Sequence, residues 1–156
     1  MKKKHWYILA GITIITFLMS SKKAFANIVV NQKNRECDPY GCGHFGASRG
    51  TRKHNGLDIV SIPNENVLSP ISGTVTRFPF PYGSDLSYTG IEIVNDDYLV
   101  KMFYVKPIVS ANTKVVAGQV VAKAQNISAK YATSMTNHVH IEVYNRKTNA
   151  LLDPTK

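Results

Sequence analysis

The segment His138-Val139-His140-Ile141-Glu142-Val143-Tyr144 alternates polar with branched apolar side chains. Successive side chains of a β-strand point to opposite faces. Folded as a strand, the segment puts Val139, Ile141 and Val143 on a face that can enter a core. His138, His140 and Glu142 then share the other face. Two imidazoles two residues apart are placed to share a metal ion or a reacting water. His-x-His alone is a weak signal, and the plainer alternative is a pair of surface or satisfied core histidines.

The rest of the chain extends the β pattern. Leu57 to Val60, Gly73 to Phe78, Gly90 to Val94, Leu99 to Val105 and Gln119 to Ala122 are short β-rich runs. Turn residues such as Pro70, Ser72, Asn95-Asp96-Asp97 and Gly118 punctuate them. That spacing predicts a mainly β, antiparallel domain. Residues 27–36 read as a polar arm or edge strand, and residues 37–53, rich in Gly, Ser and Arg, as loop. No stretch has a long amphipathic helical period; Ala129 to Ala132 is expected to form a helical turn. The 156 residues suffice for one domain with a core.

The first 26 residues stand apart. Lys2, Lys3 and Lys4 precede an uncharged apolar run from Trp6 to Met19, and Ala24-Phe25-Ala26 closes it. Basic start, short apolar middle and small-x-small end predict a secretory signal cut after Ala26. The run is short for a membrane span, which takes about 20 residues; Lys22 and Lys23 keep an uncleaved anchor as the rival reading. An exported protein, periplasmic or secreted, is the expectation. Five of the 19 Lys and Arg fall in this segment and no acid does, leaving 14 basic and 10 acidic side chains in the mature chain. That mild excess suits an anionic surface such as a cell wall. It does not point to nucleic acid, and no aromatics interleave with the basic cluster Arg49, Arg52 and Lys53.

Cys37 and Cys42 are the two cysteines. An exported chain meets an oxidising compartment, so a disulfide closing this short loop is expected. A two-cysteine metal site would need further ligands close by, and His44 is the one local candidate.

The second chemical motif is His54-Asn55-Gly56-Leu57-Asp58. Gly56 permits a sharp backbone turn that could bring both functional side chains to one point. Two imidazoles and a carboxylate make a normal zinc set, with the fourth position left for water. His54, Asp58 and His140 would hold Zn2+. His138 would stand beside the ion and move a proton as general acid/base.

These motifs resemble the lysostaphin-type zinc endopeptidases, or LytM domains, which combine His-x-x-x-Asp with a late His-x-His strand. The resemblance runs over most of residues 43–143. Its motifs are Phe45-Gly46-Ala47-Ser48-Arg49, the ligand strand His54 to Ile59, the turn and strand Ser69 to Val75, the turn Val116 to Val121, and His138 to Glu142. It implies a duplicated-hybrid-motif domain over residues 43–156, preceded by an arm and disulfide loop over 27–42. It also implies zinc on His54, Asp58 and His140, His138 as the catalytic histidine, and hydrolysis of peptide bonds in bacterial peptidoglycan. Two features depart from the pattern. Lys106, in Phe103-Tyr104-Val105-Lys106-Pro107, stands where the family carries a second active-site histidine, and a glycine-poor stretch from Ala124 to Asn137 replaces the usual turn before the last strand. As a cation, Lys106 could still stabilise an oxyanion. Cys37 to Gly43 and Lys101 to Ile108 are similar to one branch, the leukocyte cell-derived chemotaxins. That similarity implies a Cys37–Cys42 disulfide and, as the alternative function, a zinc-stabilised binding module. Peptidoglycan peptides or another anionic surface partner are the expected partners, met by a monomer.

Overall fold

The computed structural model describes residues 25–156. The expected signal lies outside them except for Phe25 and Ala26. Those two are packed on the domain: Phe25 meets Tyr98 edge-on at 5.0 Å, and the Ala26 N–H donates to the Pro70 carbonyl. Among the described residues no helix is long and apolar enough to cross a membrane.

The fold is nearly all β. Its strands are β1 (Cys37–Asp38), β2 (Gly41–Cys42), β3 (Ser48–Arg49), β4 (Arg52–Lys53), β5 (Leu57–Val60), β6 (Asn66–Leu68), β7 (Gly73–Arg77), β8 (Gly90–Val94), β9 (Tyr98–Phe103), β10 (Val105–Pro107), β11 (Lys114–Val115), β12 (Val120–Ala124), β13 (His138–Asn145) and β14 (Leu151–Leu152). The main antiparallel sheet runs β11-β7-β8-β9-β13. On its far edge β13 is paired by β5 along its first half and by β14 further on. A smaller sheet runs β10-β12-β6, while β1–β2 and β3–β4 are two-residue hairpins.

The core follows from the alternation. Val139, Ile141 and Val143 face inward beside Ile59 and Leu57 of β5 and beside Met102 and Val100 of β9. Ile91 and Ile93 of β8 are fully buried with them. The arm contributes too: Ile28 and Val29 enter this core, and Asn34 bridges to Ile59.

Several local expectations differ from what forms. The stretch 37–53 is not plain loop but carries both small hairpins. Their two-residue strands are too short to show a period. The strand expected through Val105 breaks at Tyr104, whose φ of 63° lies in the left-handed region. That kink hands the chain from the main sheet to the small one: β9 pairs with β8 and β13, and β10 with β12. Strands β6, β11 and β14 form where none was expected. The helical turn falls at Ile127–Ala129, earlier than expected, because Asn126 caps it by accepting from the Ala129 N–H.

Truncating a central core side chain leaves a cavity that close-packed neighbours fill only partly. Ile93→Ala is expected to destabilise the domain by about 2–5 kcal/mol, and Val116→Ala, at an exposed position, by under about 0.5 kcal/mol. Denaturant unfolding of both variants checks this; equal losses would contradict the core described here.

Candidate metal centre

Antiparallel pairing of β5 with β13 puts Asp58 opposite His140 on the polar face. His54 arrives from the chain just before β5. There the β3–β4 hairpin base holds it, with Gly46 N–H donating to His54 O and His54 N–H to Ala47 O, both at 2.8 Å. The tight turn between them requires Gly56. A Cβ there would lie 2.7 Å from the Cε1 and Nε2 atoms of His140.

Three ligand-type atoms converge. His54 Nε2 lies 3.0 Å from His140 Nδ1 and 3.2 Å from Asp58 Oδ1, and His140 Nδ1 lies 2.8 Å from the same oxygen. His54, Asp58 and His140 form the one group of three such residues close enough to hold an ion among the described residues. A tetrahedral ion with bonds of about 2.0–2.1 Å spaces its ligand atoms about 3.3 Å apart. The triangle therefore fits after opening by a few tenths of an ångström.

The surrounding hydrogen bonds orient each ring. His54 Nδ1 donates to the His44 carbonyl at 2.9 Å, which leaves Nε2 as the lone-pair nitrogen toward the centre. The far nitrogen of His140 lies 3.3 Å from Glu142 Oε1, and Glu142 accepts from the Tyr144 hydroxyl. Asp58 Oδ2 accepts from Arg35 Nη1 at 2.9 Å. Gly43 lets these two close: a Cβ on it would lie 2.7 Å from Arg35 Cβ and 3.0 Å from Asp58 Cβ.

His138 adjoins the triangle without belonging to it. Its Nδ1 donates to the Thr136 carbonyl at 2.7 Å, and Nε2 stands 3.7 Å from Asp58 Oδ2. Burial pushes its pKa below the usual histidine value, so it is neutral at pH 7 and Nε2 can accept a proton. Burial acts on Asp58 in the opposite sense, but the hydrogen bond from His140, with the His54 ring beside it, prevails and holds the carboxyl well below its ordinary range. For His140, burial would lower the pKa; the hydrogen bonds to Asp58 and Glu142 override it and push it up to about 8.

A groove of about 450 Å³ opens over the centre. Its lining includes Arg49 and Arg52 and the tyrosines Tyr82, Tyr104 and Tyr131. The structure brings His54, Asp58, His140 and His138 together here, but it does not bring Lys106. That side chain is exposed on β10, across from Lys123, and does not line the groove. Tyr104 reaches the site instead, its ring edge-on to His138 at 5.3 Å, because the kink at this residue resets which side chains face inward. Cys37 and Cys42 are joined in a disulfide, so no thiolate remains for the alternative metal site with His44. Sequence reasoning missed Arg35 and Asp38, which hold each other by a paired Nε and Nη2 contact. The available signal was their opposite charge at i, i+3 around Cys37.

A β domain with two histidines and a carboxylate gathered under a groove has the architecture of a metal-dependent hydrolase domain. Residues 52–154 match peptidase family M23, and the chain belongs to that family. It is 31% identical to leukocyte cell-derived chemotaxin-2 of Mus musculus, over 84% of this chain and 89% of that protein. Its fold is that of the antimicrobial peptidase lysostaphin from Staphylococcus simulans, with a TM-score of 0.59, 19% identity, and coverage of 83% of this chain and 52% of the other. A zinc containing peptidase from Vibrio cholerae aligns with a TM-score of 0.52 and 26% identity, over 86% of this chain and 37% of that one. The resemblance to lysostaphin-type domains and to their chemotaxin-like branch is thus borne out, as is the antiparallel β fold.

In protein freed of divalent ions, His140 is expected to titrate near pH 8 and His138 below its ordinary value. Nuclear magnetic resonance of the imidazole signals checks the order, and His138 titrating above His140 would contradict the assignment of partners.

Proposed function

We propose that this exported protein is a zinc metalloendopeptidase that hydrolyses peptide bonds in bacterial cell-wall peptidoglycan. The observation that carries this is the placing of His138: a neutral imidazole aimed at a three-ligand triangle on the floor of an open groove. His54 Nε2, Asp58 Oδ1 and His140 Nδ1 would hold the ion, and membership of peptidase family M23 favours zinc. When bound, zinc supplies Lewis acidity, activating water near neutral pH and polarising a peptide carbonyl.

The chain's own groups supply the rest. His138 Nε2 takes a proton from the attacking water and returns one to the leaving amine; the Thr136 carbonyl keeps its Nδ1 protonated throughout. His44 O and Glu142 hold the His54 and His140 rings in the orientation that faces the ion. Arg49 and Arg52 in the groove lining suit carboxylates and carbonyls of a wall peptide. Export is supported by the Cys37–Cys42 disulfide.

A second reading is a zinc-stabilised binding module with the same centre. The position of Lys106 favours it: with that side chain exposed elsewhere, His138 is the one non-ligand imidazole at the groove among the described residues. Chemotaxin-2 as a relative points the same way.

Zinc-loaded protein is expected to release new amino groups from purified peptidoglycan. His138→Gln should retain one zinc per chain and lose about 10²- to 10⁴-fold in rate. Retention on the wall with no amine release by the wild-type protein would select the binding module over the peptidase.

A further inference from the structure

Both oxygens of the Asp38 carboxylate are held by two donors each. Oδ1 accepts from the Tyr40 N–H at 2.8 Å and from Arg35 Nη2 at 2.6 Å. Oδ2 accepts from Arg35 Nε at 3.1 Å and from the Thr136 N–H at 3.0 Å. The side chain is 8% exposed, and its backbone is held in the loop that the Cys37–Cys42 disulfide closes.

Two of these bonds lead to the site by separate routes. Arg35, its side chain 2% exposed, uses its remaining nitrogen Nη1 on Asp58 Oδ2, leaving Oδ1 toward His54 and His140. Thr136, whose N–H is fixed by Asp38, offers its carbonyl to His138 Nδ1. One carboxylate thus reaches the anionic ligand through a guanidinium and the free imidazole through one residue of backbone.

The charges explain why Arg35 needs a second anion. A buried guanidinium facing Asp58 alone would neutralise that carboxylate and oppose a dication beside it. Gripped on its other edge by Asp38 in a paired contact, the same guanidinium orients Asp58 with its own charge balanced, while the more exposed Arg49 stands with Nη2 3.8 Å from Asp58 Oδ2.

We propose that Asp38 is a positioning residue for the metal centre, acting through Arg35 on Asp58 and through Thr136 on His138. This rests on the zinc reading given above. It makes the disulfide loop, outside residues 52–154 that match the family, a working part of the site.

The test is zinc affinity by competition with a chromophoric chelator, for wild type, Asp38→Asn and the double variant Asp38→Asn with Arg35→Gln. Asp38→Asn is expected to weaken zinc about 10- to 100-fold. The double variant, which also removes the stranded cation, is expected to bind zinc more tightly than Asp38→Asn alone. A merely structural role predicts the reverse order, and that order would overturn the proposal. Should Asp38→Asn fail to fold, Asp38→Glu takes its place, keeping the charge but displacing the carboxylate from Thr136. It should hold zinc within about threefold of wild type while the Nδ1-protonated His138 signal is lost from the nitrogen spectrum; unchanged affinity with an unchanged His138 signal would also overturn the proposal. Failure of the wild type to bind zinc defeats the zinc reading itself, whereas tight binding by wild type and Asp38→Asn alike defeats this proposal alone.

Discussion

Asp58 can meet His140 because β5 and β13 are paired in one register, and apolar side chains hold that register. Val139 lies across from Ile59 and Ile141 across from Leu57 on the inward face. A slip by one residue would turn those side chains outward and carry the histidines into the core. Full burial of an aliphatic side chain contributes about 1.5–3 kcal/mol. The inward residues of β13 alone therefore outweigh any local preference of the polar face for another arrangement. The chemistry on one side of the strand is positioned by the packing on the other.

What that register creates is electrostatically demanding. Asp58, His138 and His54 are buried, and His140 nearly so. Burial alone would neutralise the carboxyl. Imidazole contacts and the Arg35 guanidinium keep it charged instead. His140 carries a proton on the nitrogen that faces Asp58 and His54, so a proton and a metal ion compete for one place. Besides Glu142 on β13 itself, the polar contacts that orient this cluster come from separate parts of the chain: His44 and Ala47 from the hairpin region, Arg35 from the arm, Thr136 from the loop before β13.

The parts read from sequence were those whose information is local. Alternation over His138 to Tyr144 gave the strand, its core face and its polar face. The Gly56 turn allowed His54 and Asp58 to be read as converging. Antiparallel β class followed from the spacing of the runs. The parts not read depend on contacts far along the chain. Asp38 meets Thr136 across 98 residues, a relation no local pattern encodes. Ile28 and Val29 sit in a polar stretch and join the core, the Ile28 carbonyl accepting from the Leu68 N–H of β6. Lys106 was singled out because it stands where the resembled family carries a second active-site histidine. The left-handed backbone at Tyr104 puts the tyrosine at the site and leaves the lysine in solvent.

The account stands on one ion bonded by three named atoms, and anomalous diffraction from crystals grown with zinc measures this directly. The result expected is a single strong peak about 2.0–2.2 Å from His54 Nε2, Asp58 Oδ1 and His140 Nδ1, with His138 outside bonding distance. A peak elsewhere, or one that takes His138 as a ligand in place of His54 or His140, would contradict it.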